Sequence, residues 1–114
     1  MKHSTDGTYT VQFQSSLGLF GAGVVTLSNL EVSGGDSGFL FAGAFKEVGS
    51  ELVGAVSVSQ HADGMISIFG PMRNFELSLC GQITNGIGQF TGSMVGMPQM
   101  KIKVVLQQSA RKVA

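Results

Sequence analysis

The chain has little charge, a single cysteine and no long apolar run, and each shortage removes a class of function. Only 12% of the 114 residues are charged, and the 7 Lys+Arg are matched by 7 Asp+Glu. Nucleic-acid-binding domains concentrate positive charge on one face, and here there is little to concentrate, so no direct nucleic-acid partner is expected. A formal net charge of +0 also removes long-range repulsion between copies, which eases self-association. Cys80 has no second cysteine to pair with, which excludes an internal disulfide and a Cys-x-x-Cys metal cluster. No stretch approaches the ~18 apolar residues of a membrane-spanning helix. Met1 to Asp6 has no apolar core of signal-peptide length. A cytoplasmic protein with no membrane partner is the expectation.

What is present is apolar residue in quantity, 43% of the chain, which is the balance of a globular domain rather than a disordered one. One domain is expected over residues 7–108, between a flexible N-terminus (1–6) and a flexible C-terminal tail (109–114). The apolar residues alternate. Tyr9, Val11 and Phe13 interleave with Thr8, Thr10, Gln12 and Gln14, the period of a half-buried strand. Phe39, Phe41 and Phe45 share one strand face with Gly43. Phe75, Leu77 and Leu79 share another, as do Gly88, Phe90, Gly92 and Met94, and then Ile102, Val104 and Leu106.

Strands are predicted at 7–15, 19–28, 30–33, 39–47, 51–60, 74–81, 87–95 and 101–107, with Met65 to Phe69 read as either a strand or a cap over one barrel mouth. Asn85-Gly86 is a strong hairpin signal because both residues readily take positive φ. Gly34-Gly35-Asp36-Ser37-Gly38 reads as a turn, with Asp36 bonding the turn's own backbone. No segment has a convincing helical period. Turn signals recur every ~8–12 residues, and glycines inside the strands (Gly21, Gly23, Gly43, Gly54, Gly88, Gly92) suit sharp curvature. The predicted fold is all-β: a small antiparallel up-and-down barrel of about eight strands. Phe39, Phe41, Phe45, Phe75, Phe90, Val11, Phe13, Ile102 and Val104 are its expected core.

Constellations that would carry chemistry are weak. His61 and Asp63 share a loop with no placeable nucleophile, and His3 with His61 alone makes no metal site. Cys80 lies on the polar register of its strand, where a lone thiol is expected to be inert. The glycine-rich turn lacks the Gly-Lys-Ser/Thr of a phosphate-binding loop. The carboxylates show no acid–base spacing. No catalytic residue, metal or cofactor is nominated. Two binding surfaces remain. The inward faces mix Phe, Met, Leu and Val with glycine, and a core filled by its own side chains is preferred over a cavity for an apolar small molecule. On the outer register, Leu40, Ala42 and Ala44 of one strand and Val53 and Ala55 of the next form a weakly polar face, the expected dimer surface.

Asp6-Gly7-Thr8-Tyr9 with Val11 and Phe13, then Gly21-Ala22-Gly23-Val24-Val25, then Gly34-Gly35-Asp36 and a strand through Gly43, and finally Gly96-Met97-Pro98-Gln99, together resemble the GrlR family. These are small negative regulators of type III secretion genes. The resemblance runs from Asp6 to about Leu106. It implies a lipocalin-like barrel that forms a homodimer and acts by sequestering a transcriptional activator rather than by touching DNA. In the family's best-known member an acidic run after the Gly-Gly-Asp strand makes the contact. The matching segment here, Lys46 to Glu51, holds two acids and one lysine with no contiguous acidic run, so Glu47 and Glu51 are the partner-contact candidates. The leading expectation is a regulatory interaction module, followed by a carrier or sensor of a small apolar ligand.

Overall fold

Period-2 alternation puts every second side chain on one face, and closing the sheet turns that face into an interior. The computed structural model describes residues 5–36, 38–61 and 74–109. These form β1 (Gly7–Ser15), β2 (Phe20–Ser28), β3 (Glu31–Gly35), β4 (Phe39–Val48), β5 (Glu51–Gln60), β6 (Asn74–Thr84), β7 (Ile87–Met94) and β8 (Met97–Gln108). Each strand pairs antiparallel with its neighbour in sequence, and β1 pairs with β8 to close the barrel in the order β1-β2-β3-β4-β5-β6-β7-β8. The protein is an all-β, eight-stranded, up-and-down antiparallel barrel.

The inward register holds Tyr9, Val11, Val25, Leu27, Val32, Phe39, Leu52, Val56, Val58, Leu77, Leu79, Phe90, Met94, Ile102, Val104 and Leu106, all buried. The outward register of β1 and β8 carries Thr8, Thr10, Gln12, Gln14, Lys101 and Lys103. A membrane-spanning barrel has the opposite arrangement, apolar outside and polar within. No helix among the described residues is long and apolar enough to cross a membrane.

Two tight turns show how the connections are made. Asn85 and Gly86 both take positive φ (55° and 79°), the twist that lets a two-residue hairpin follow the twist of its strands. Asn29 and Leu30 do the same at 51° and 67°. For leucine this left-handed conformation is strained by about 1–2 kcal/mol. The strain is offset locally: the Asn29 N–H donates to Asp6 Oδ1 at 2.8 Å, the Phe45 N–H donates to the Leu30 carbonyl at 2.8 Å, and the Leu30 side chain packs on the core.

Several boundaries differ from those expected. Gly34 and Gly35 are not part of the turn; they end β3, paired with Val25 and Val24 on one side and with Phe41 and Leu40 on the other. Glycine serves close strand approach here, since a Cβ on Gly34 would run into the Val24–Val25 backbone. β6 continues past Gly81 to Thr84 because Gly81 is itself paired, opposite Phe90. β8 begins at Met97, so Pro98 sits inside its first residues, beside a register shift at Ser93/Met94 where a ladder hydrogen bond is not required. The Met65 to Phe69 segment, Asp63 and Ser37 lie outside the described residues.

Candidate functional site: an apolar cavity inside the barrel

Register decides what the interior looks like. Phe13 stands opposite Gly21, Phe41 opposite Gly34, Phe45 opposite Gly54 and Phe90 opposite Gly81. A Cβ added at Gly21 would overlap the Phe13 ring, and one at Gly54 or Gly81 would meet the ring of Phe45 or Phe90. The Phe13, Phe45 and Phe90 rings therefore occupy the space over a side-chain-free neighbour and pack on the barrel wall, as aromatics do beside glycines in curved sheets. Phe13 and Phe41 meet edge-on at 5.8 Å, and Phe45 and Phe90 lie tilted at 5.2 Å. Rings held against the wall do not fill the middle.

The interior holds a cavity of about 310 Å³ that is partly open to solvent. The expectation of a core filled by its own side chains is corrected on this point. For the same reason Phe13, Phe41, Phe45 and Phe75 are only partly buried rather than core, because they face open space, while Phe39, Phe90, Val11, Ile102 and Val104 are buried. The walls are aliphatic and aromatic: Val11, Val25, Val56, Val58, Leu77, Leu79, Ile102 and Val104 with the phenylalanines. Tyr9 and Leu52 are buried beyond the cavity, near the starts of β1 and β5. There the Tyr9 hydroxyl donates to the Thr5 carbonyl at 2.7 Å. Burial, with the Asp6 charge as a second cause, pushes its pKa above the usual 10.0.

The opposite end is built from the close of β1 and β3 and the start of β2, β4 and β6. It brings Phe13, Phe20, Gly21, Ala22, Asp36, Phe39, Phe41 and Phe75 to the cavity. Phe20 is 75% exposed and belongs to the outward register of β2, yet it still contributes to the cavity wall, as a lip does. Nothing in the sequence pattern distinguished it from an ordinary strand residue. Asp36 is the charged residue of the lining. Its Oδ1 accepts from the Gly38 and Phe39 N–H groups at 2.9 and 2.8 Å, and its own N–H donates to the Phe39 carbonyl at 2.9 Å. The His61 N–H donates to the Gly38 carbonyl at 2.8 Å, and its ring donates from Nε2 to the Asp36 carbonyl at 3.0 Å. Asp36 thus closes the β3–β4 turn through its carboxylate and its own backbone, and also stands at the mouth.

The surface candidates lie elsewhere. Leu40, Ala42 and Ala44 point outward from β4, and Val53 and Ala55 outward from β5, with Ala44 opposite Ala55 and Val53 opposite Lys46. Val24 and Leu40 flank Gly35 in one row, which extends this apolar face on to β2. Glu47 and Glu51 are exposed on either side of the Gly49-Ser50 turn, away from the cavity mouth. The Cys80 thiol neighbours Glu51. Local desolvation, then the hydrogen bond to Glu51 and its negative charge, push the thiol pKa up from 9.0, the reverse of activation. Among the described residues no group of three or more His, Cys, Asp or Glu could hold a metal. No family model matches the chain, and no curated protein matches it.

Proposed function

We propose that this chain is a non-enzymatic binding barrel that carries or senses a small apolar ligand in its interior. The observation that carries the reading is the cavity of about 310 Å³ with aromatic and aliphatic walls. Ligand pockets begin at about 300 Å³ and are mostly apolar with a few placed polar groups. An apolar cavity of about 150 Å³ remains dry and takes up benzene, so twice that volume, open to solvent at its mouth, suits an apolar body of roughly twelve to sixteen carbon atoms. Such a ligand would bind with a dissociation constant on the order of 1–100 µM, given the affinity each heavy atom can contribute. The test is titration with the neutral dye phenylnaphthylamine, whose emission rises in apolar surroundings. Saturable binding of one dye per chain is expected, with loss of that binding in Val56→Phe, which places a ring in the cavity beside Gly43. No saturable binding, or unchanged binding in a folded Val56→Phe, refutes the reading.

The outer face supports a second reading, a regulatory homodimer that binds another protein. Leu40 is 51% exposed amid Ala42, Ala44 and Ala55, and a closed barrel offers no free strand edge, so association would be face to face. With the GrlR-like pattern, this makes sequestration of a transcriptional activator in the cytoplasm the associated proposal, with Glu47 and Glu51 at the hairpin beside the face. Native mass spectrometry tests it: a mass of two bare chains that falls to one in Ala44→Glu supports the dimer, and a monomer at micromolar concentration sinks it.

A further inference from the structure

Resting on the ligand-binding reading, we infer that the cavity selects against carboxylate amphiphiles and takes apolar molecules whose polar end is an amine or a hydroxyl. The selector is Asp36. Among the described residues, no lysine, arginine or histidine lines the cavity, so none of them offers a cation to an anionic head group. It would find the Asp36 carboxylate instead.

The geometry leaves that carboxylate with capacity to spare. An ionised carboxylate has two oxygens and about four acceptor positions. Oδ1 takes the Gly38 and Phe39 amides, and no described residue donates to Oδ2. His61 bonds the Asp36 backbone carbonyl rather than its side chain, so it does not neutralise the charge by contact. The two amide bonds fix the carboxylate at the mouth, since they also hold the β3–β4 turn. Asp36 Cβ sits over the side-chain-free inner face of Gly23, where an added Cβ would lie 3.3 Å from it. A chain-first ligand therefore leaves its head group beside a fixed negative charge. A protonated amine gains a charge-assisted hydrogen bond, an alcohol gains a neutral donor bond, and a carboxylate meets repulsion.

The experiment displaces phenylnaphthylamine with decylamine, decanol and decanoate at a pH of about 8, where the amine is cationic and the acid anionic. The expected order of affinity is amine, alcohol, carboxylate, with the amine ahead of the carboxylate by on the order of tenfold at low salt and less as salt rises. Asp36→Asn keeps the Oδ1 acceptor and hence the turn while removing the charge. In that variant the amine and carboxylate should come within about threefold of each other. Decanoate equal to or tighter than decylamine in the native protein overturns the inference while leaving ligand binding standing. An unchanged order in Asp36→Asn overturns the role of Asp36. Failure of the dye itself to bind refutes the carrier reading instead.

Discussion

Replacing Gly54 by alanine should destabilise the barrel, although alanine is ordinarily preferred to glycine in a strand. Gly54 points inward from β5, opposite Phe45 on β4 and Leu79 on β6. An added Cβ would collide with the Ala44 carbonyl oxygen and lie 2.8 Å from both Phe45 Cα and its ring. Part of that overlap is with backbone, so β4 and β5 must shift relative to each other, and overpacking of this kind costs about 1–3 kcal/mol. The Phe45 ring would also leave its 5.2 Å pairing with Phe90, worth about 0.5–1.5 kcal/mol. Reduced freedom of the unfolded chain returns only about 0.4–1 kcal/mol. The balance is a loss of about 0.5–4 kcal/mol, centred near 2, equivalent to a fall of roughly 2–20 °C in midpoint temperature for a domain of this size. Urea denaturation followed by far-UV circular dichroism measures it directly, since the chain has no tryptophan to report on unfolding. A Gly54→Ala protein as stable as the native one, or more so, would refute the view that the rings are seated over glycines.

Three further outcomes follow from the same coordinates. Phe90→Ala should cost about 3–5 kcal/mol because Phe90 is 3% exposed, whereas Phe41→Ala, at the half-open rim, should cost roughly half as much; equal losses in urea denaturation would contradict the partial burial of the rim. For Tyr9 the folded pKa is raised above 10.0, so the folded state keeps the proton that the unfolded state has begun to release. Its contribution is complete below pH ~10 and is lost as pH rises through the folded value, so the midpoint temperature should fall across that interval. Tyr9→Phe should flatten the fall, and an identical alkaline profile in the variant would dismiss the assignment. Cys80 should react slowly with iodoacetamide at neutral pH, and Glu51→Gln should speed it by removing the negative charge that helps hold the thiol protonated. No acceleration in a mass-spectrometric time course would rule out Glu51 as the cause.

The strands were legible because each inward face repeats at period 2, as in Phe75, Leu77 and Leu79, and because turns such as Asn85-Gly86 require residues that tolerate positive φ. Gly34-Gly35 was ambiguous for a physical reason. Glycine serves both a tight turn and the close approach of strands, and only the pairing partners tell these apart. The cavity was not legible for a related one. Whether a phenylalanine fills the centre or lies on the wall depends on what stands across from it, and the Phe13–Gly21 and Phe45–Gly54 matches appear only once register is known. Phe20 and Asp36 acquire their places at the mouth in the same way, through neighbours remote in sequence.

The pairing of β1 with β8 has a kinetic consequence. Thr10 and Gln107, 97 positions apart, share a side-chain-to-backbone bond in that seam. At about 5–20 residues per second of synthesis, β1 waits several seconds with an unpaired edge before its partner exists. The cylinder cannot close by local steps alone, and the entropy of bringing such distant segments together is lost before their contacts compensate for it. Folding in the millisecond-to-second range is expected. The nascent chain carries its greatest aggregation hazard on β1, the strand made first, until β8 seals the seam.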